Sequence, residues 1–209
     1  LSSRSLLILR GEATIPLLQG IVTKDVRMVT EKPSIASFIL DTNGRIVDEI
    51  LLKQVDDKFL LECSAVNRDS TKKLLERYRL RKKVSIDIAE ESVLWSEEKV
   101  EGGIEDPRVP SIGYRLYAPS SSSVDDVTDR YRRLRWREGV SEGEEVKGML
   151  PFNVNGDLLG QVSANKGCYV GQELTARTAT QGMLRRRVVP ITCEGQVSGE
   201  IRNEEGKKV

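Results

Sequence analysis

Asn43-Gly44 stands between two apolar runs, SIASFIL before it and RIVDEILLKQV after it. An Asn-Gly pair in that setting is a strong hairpin signal, because a type I′ turn needs positive φ at both central residues. Two antiparallel strands are thereby committed, and the chain around them has little freedom. Asp56-Asp57 marks the next turn, and DDKFLLECS supplies a third strand. Val66 to Tyr78 sets Leu74, Leu75 and Tyr78 among Lys and Arg, which predicts a helix, and Lys83 to Ile88 alternates as a strand does. Upstream, Ser5 to Arg10 is a short apolar strand. Ala13 to Val22 spaces Ile15, Leu18 and Val22 as a helix, with Pro16 near its start. The order strand, helix, three strands, helix, strand predicts an α+β layer, with helices on one face of a largely antiparallel sheet.

Composition bounds what such a layer can do. The 209 residues make one large domain or two small ones at ~100–200 residues each. Apolar residues are 38% and charged residues 31%, too apolar for a disordered chain. Lys+Arg (33) balances Asp+Glu (32), and aromatics are 5%, so neither a polycation nor a stacking platform for nucleic acid is present. The chain has no His. That removes Ser-His-Asp and Cys-His nucleophile systems, imidazole acid–base chemistry and His metal sites together. Cys63, Cys168 and Cys193 are odd in number and form no CxxC, which points to a reducing compartment. No apolar run approaches the ~20 residues that span a bilayer, so no membrane role is expected. The opening LSSRSLLILRG is too short for a transit peptide and reads as a first strand.

Beyond residue 89 the pattern loosens. SEEKVEGGIEDPRVPS is polar, carries two Gly and two Pro, and reads as loop. The Ser120–Ser123 run follows Pro119 and also reads as loop. A helix is expected from Val124, with Val127, Tyr131 and Leu134 on one face and Gly139 ending it. Its five arginines, Arg130, Arg132, Arg133, Arg135 and Arg137, fan over the solvated faces, diluted by Asp125, Asp126, Asp129 and Glu138. A short helix is expected within Glu142 to Leu150. From Arg177 on, VVPITCEGQV and SGEIR bring back strand-like runs.

NKGCYVGQELTART, Asn165 to Thr178, is the segment that stands out. Gly167 and Gly171 bracket Cys168, and Gln172 to Arg177 reads as helix. A thiol at a helix start feels the positive end of the backbone dipole, and Lys166 adds a charge two residues away; both favour thiolate. The residues equally allow a small buried cysteine in a tight turn. Cys63 and Cys193 carry no motif and read as core. A second basic run, Arg185 to Arg187, would give an electropositive rim for an acidic ligand if it folded back near Cys168.

K-G-C-Y-V-G-Q-E resembles the signature of the YgfZ-type iron–sulfur cluster assembly factors, folate-binding proteins similar to the glycine-cleavage T-protein. YRRLRWREGVSEGEE, LLQGIVTKDV and DTNGRIVDEILL are similar to further stretches of that family, so the resemblance covers nearly the whole chain. It implies an α+β T-protein-like fold with a ferredoxin-like layer and a truncated C-terminal β-domain: residues 1–89 as a folate-binding-like domain, 90–180 as a middle region ending in the signature, and 181–209 as the start of a β-domain. It implies a non-enzymatic maturation factor for [4Fe–4S] proteins, serving aconitase-type and radical-SAM clients such as lipoate synthase with A-type iron–sulfur carrier proteins. Cys168 would be the functional thiol, a transient or shared ligand of a [2Fe–2S] or [4Fe–4S] cluster, since a lone Cys cannot hold a stable one. Lys166, Gly167, Tyr169, Gly171, Gln172 and Glu173 would support it. Tetrahydrofolate would sit in a central cavity lined by Thr23, Asp25, Asp48 and Asn153. Asn153 stands where the family often has a carboxylate, and Asp48 and Glu49 point to opposite faces of their strand. Both points weigh against the alternative of a folate-dependent aminomethyl transferase. QELTART leans to the mitochondrial branch, hence the matrix, with the cytoplasm as the bacterial alternative.

Overall fold

A computed structural model describes residues 1–119, 127–182, 184, 186–192, 202 and 205–207. β1 (Arg4–Arg10), α1 (Thr14–Gln19), β2 (Ile35–Leu40), β3 (Ile46–Val55), β4 (Lys58–Ser64), α2 (Arg68–Arg79) and β5 (Ser85–Ile88) follow the predicted order. The strands form one sheet in the order β2-β3-β4-β1-β5, every neighbouring pair antiparallel. Without β2, the order β5-β1-β4-β3 with α1 and α2 inserted is the split βαββαβ, ferredoxin-like arrangement; β2 is an added edge strand.

Period-two alternation sorts β1 between two cores. Leu7 and Leu9 pack with Leu17, Leu18, Leu61 and Leu75 beneath the helices, while Leu6 and Ile8 pack with Leu60 and Val93 on the other face. Each such side chain taken from water contributes roughly 1.5–3 kcal/mol. The second core corrects the expectation of a sheet covered on one side. Residues 90–119, which include the stretch 96–111 expected as loop, hold β6 (Glu91–Ser96), β7 (Ile104–Glu105) and β8 (Tyr114–Pro119), a second sheet in the order β6-β8-β7. Only Val93 of β6 is fully buried, so its sequence shows almost no apolar alternation.

The hairpin forms where expected, but its turn differs. Gly44 alone has positive φ (+79°) in a loop from Asp41 to Arg45. The Asp41 carboxylate accepts from the amides of Asn43 and Arg45, both at 2.9 Å. Asp41 thus closes a wider loop with one left-handed glycine, as in a turn with a bulge.

α3 (Thr128–Arg137) carries the predicted face of Tyr131 and Leu134. The short helix expected in 142–150 is a single 3-10 turn, Gly143–Glu145, closed by a Glu142/Glu145 capping box. α4 (Gln172–Gln181) lies between Gly171 and Gly182, both at positive φ. It extends past Arg177 into the stretch read as strand-like. Val188–Thr192 forms no strand; the Ser120–Ser123 run and Cys193 lie outside the described residues. No described helix is long and apolar enough to cross a membrane.

A buried ionic hub joins the two sheets and α3. Arg4 donates to Glu62 (2.7 Å) and Glu49 (3.0 Å), Arg108 to Glu49 (2.9 Å) and Asp106 (2.7 Å), and Arg115 to Glu62 (3.0 Å). Tyr131 bridges Arg115 and Glu142. Burial acts to raise the Asp106 and Glu142 carboxyls, but the surrounding arginines outweigh it and hold both far below the usual range. For Glu49 burial wins, and its carboxyl titrates high despite Arg108 and Arg4. Arg135, expected on a solvated face, is buried and fork-bonds Glu145 at 2.6 and 2.9 Å.

Candidate functional site

The signature segment lies on the loop that leaves α1. Ser163 N–H donates to Thr23 O at 3.0 Å, and Val170 N–H to Gly20 O at 3.1 Å. Between these points Gln19 Nε2 donates to Lys166 O (2.9 Å), and the Lys166 ammonium turns inward onto the carbonyls of Gln19 (2.6 Å) and Val22. The Gln19 carbonyl ends α1, where a cation is favoured, and the Val22 carbonyl lies in the loop beyond it. The arch Gly167-Cys168-Tyr169 is therefore pinned on both sides, with Gly167 and Cys168 exposed and Tyr169 packed against the Phe38 cluster. Cys168 is exposed, and Gly167, at φ +90°, has no atom within 4 Å of where a Cβ would be.

The far side of the arch rests on the hairpin tip. A Cβ on Gly171 would meet Asp41 O at 2.2 Å, and one on Gly44 would meet Gly171 O at 2.8 Å. Gly171 at φ +75° suits only glycine there. Gln172 Oε1 accepts from Tyr169 N–H at 3.0 Å, and Glu173 is exposed in the first turn of α4.

Two expectations about the thiol change. α4 begins four residues after Cys168, so the thiol is not at a helix start. Lys166 is a clamp, its ammonium on two carbonyls and 4.8 Å above the Tyr169 ring. Burial pulls that ammonium down to about 8. The reading of Cys168 as a buried structural residue is overturned by its exposure. Cys63 is fully buried as expected, and burial pushes its thiol up to about 12.

The residues assigned to a folate cavity do not gather round one. Thr23 is buried, donating to Gln161 O at 2.7 Å and accepting from Phe38 N–H at 3.0 Å. Asp25 pairs with Arg27 at 2.6 Å, and that hydrogen bond pulls its carboxyl down to about 2. Asp48 is buried and accepts from Thr71 of α2 at 2.9 Å; Glu49, on the opposite face as alternation requires, is closed inside the hub. Asn153 is half-buried, its carbonyl accepting from Val188 N–H at 2.7 Å. A pterin needs an open carboxylate or amide edge, and both strand acids are already enclosed. As they are held, these residues do not fit tetrahydrofolate. Of the basic run expected as a rim, Arg187 bonds Asp157 at 2.8 and 2.9 Å, Arg186 is exposed, and Arg185 lies outside the described residues. Among the described residues no three Cys, Asp or Glu side chains come together to hold a metal.

Gln19 is the residue that sequence reasoning passed over. Its amide holds Asp25 Oδ1 (3.1 Å) and Lys166 O, and its oxygen accepts from Val26 N–H (2.8 Å). Its signals in the sequence are a polar residue inside an apolar helical turn and its place in the family-like stretch LLQGIVTKDV. Gln19→Leu is expected to cost about 1–3 kcal/mol by leaving those partners unmet. Amide exchange across residues 163–170 should then rise well above that of β1 and β4. Equal protection in both variants would remove Gln19 from the clamp.

The ferredoxin-like layer with a second sheet docked through buried ion pairs is an α+β fold of the T-protein type. The crystal structure of the glycine cleavage system aminomethyltransferase T from Bartonella henselae matches it with a TM-score of 0.75, at 16% identity, over 100% of this chain and 70% of that one. The chain is a relative of the mitochondrial iron–sulfur cluster assembly factors of the IBA57 type. It is 30% identical to the Pyricularia oryzae IBA57 homolog over 91% of its length, and 30% identical to Mus musculus IBA57 over 93%. It spans 56% and 66% of those two proteins, less than two thirds of either. No protein-family model matches the chain.

Proposed function

We propose that the chain is a non-enzymatic assembly factor for [4Fe–4S] proteins and that Cys168 is its working thiol. The observation that carries this reading is the arch: an exposed thiol at the apex of a loop pinned at both ends. Cluster ligation needs a reachable sulfur on a held backbone, and among the described residues Cys168 supplies it, since Cys63 is buried. Because a cluster takes four protein ligands, the rest come from a partner, and a [2Fe–2S] or [4Fe–4S] unit is held between the two only in passing. The cluster is cargo. A-type iron–sulfur carriers suit the partner's part, and aconitase-type and radical-SAM enzymes such as lipoate synthase suit the client's. The names of the relatives support the assembly role and a mitochondrial setting, and we place the protein in the matrix. Aminomethyl transfer is not favoured, since the strand acids it would use are enclosed at Asp48 and Glu49.

Expression of the chain in mitochondria of cells lacking their own factor tests the reading. Aconitase activity and protein lipoylation should both return. Soluble protein at normal abundance with neither restored would overturn it.

A further inference from the structure

A groove of about 250 Å3 opens between the start of β2 and the loop from Glu105 to Pro110. Pro33, Pro107, Pro110 and Ile35 give it apolar walls, and Lys24 and Lys32 stand at it. Neither ammonium has a hydrogen bond or ion pair among the described residues. The nearby acids are engaged elsewhere: Asp106 within the hub, and Glu105 with the Tyr114 hydroxyl at 3.4 Å.

Lys24 is not a side chain waving in water. Its backbone N–H is fixed on Ser37 Oγ at 2.8 Å, and its side chain is half-buried. Its ammonium lies 3.9 Å from where a Cβ on Gly160 would be, over bare glycine backbone at φ +65°. Burial and then Lys32 both disfavour its charge. Asp25 acts the other way but is itself held by Arg27, so a half-buried cation beside a like charge is poorly compensated and weakens the fold that holds it. Functional sites commonly carry such a cost.

We propose that this groove binds a small molecule bearing a doubly charged acidic group, a phosphate monoester or a dicarboxylate, with Lys24 and Lys32 on the acid and the prolines against its carbon body. The volume is just under the 300–1,000 Å3 of drug-sized pockets, so the ligand is small. The Ser34 hydroxyl at the same wall adds a neutral donor. The proposal stands apart from the thiol and does not depend on the assembly reading.

The test is thermal melting of the full chain with inorganic phosphate or glutarate as probe, each against chloride of equal ionic strength. Binding should raise Tm by about 5–10 °C at roughly 100 times the Kd. Phosphate also stabilises proteins by exclusion from their surface, so the Lys24→Met, Lys32→Met double variant decides. It should melt no lower than wild type without probe, because a repulsion is removed, and it should lose the probe-induced rise. A larger rise with phosphate assigns a phosphate ester; a larger rise with glutarate assigns a dicarboxylate. No rise beyond chloride with either probe, or an equal rise in the double variant, would overturn the proposal.

Discussion

Cys168→Ser is expected to bring aconitase activity and lipoylation down to the level of cells lacking the factor, while Tm stays within about a degree of wild type. The thiol is exposed and its neighbour Gly167 has open space around it, so exchanging sulfur for oxygen there disturbs no packing. Surface changes of this kind fall within about 0.5 kcal/mol. What is lost is a soft ligand: a serine hydroxyl stays protonated at neutral pH and binds iron poorly. Cys63→Ser is the instructive contrast. It places a hydroxyl in an apolar core at a cost of about 1–3 kcal/mol, and it should lower Tm while leaving rescue intact wherever the folded protein accumulates. The pair separates the chemistry of a thiol from its packing. Equal rescue by wild type and Cys168→Ser, at equal abundance, would dismiss the thiol.

The second large effect falls on stability. Arg108→Met is expected to cost about 3–5 kcal/mol, because removing one partner of a buried ion pair leaves the others uncompensated. At roughly 2–4 °C per kcal/mol for a chain of this size, Tm falls by about 6–20 °C. Three carboxylates lose their cation together: Glu49 and Asp106 by hydrogen bond, and Glu142 by an ion pair at 2.6 Å. The pH dependence gives a separate readout. Asp106 and Glu142 titrate below their unfolded values, so their stabilising contribution is present above the ordinary carboxylate range and is lost as pH falls through the depressed values. Taking Arg108 away moves those values up, and the acid unfolding midpoint should move to higher pH with them. Circular dichroism from pH 7 down to about pH 1.5, below the ordinary carboxylate range, measures it; an unchanged midpoint would mean that Arg4 and Arg115 hold the carboxylates by themselves.

Sequence patterns showed the first sheet well because its strands are short, apolar and bounded by turns. The order through β5 follows from the Asn43-Gly44 loop and from the helical spacing of Leu74, Leu75 and Tyr78. They showed the second sheet poorly because β6 and β8 carry Arg115, Tyr117 and Trp95 inward, and charged or amphipathic residues carry no period that marks a buried face. The same reason hid the hub. Arg4, Glu49, Glu62 and Arg135 look like solvated charges until tertiary structure sets them opposite one another. At the candidate site the glycines and Cys168 were legible, since an arch and its bracket leave a local mark. The clamp was not: Gln19 and Lys166 meet across 147 positions, and nothing in either neighbourhood announces the other.

That separation has a kinetic side. Strands β2, β3 and β4 pair with their neighbours in sequence, while β1 reaches β4 from Arg4 to Ser64 and β5 from Leu7 to Ile88. These closures are shorter than the one that ties Lys166 to Gln19 across 147 positions, so the sheet is expected to close first. A chain still emerging is therefore expected to hold a formed sheet and a slack loop around Cys168. The loop is tied down only when the last pieces dock, so the setting of its cysteine is coupled to completion of the fold. Pulse-labelled exchange during refolding should show β1 and β4 protected before residues 163–170; simultaneous protection would mean that the arch forms with the sheet.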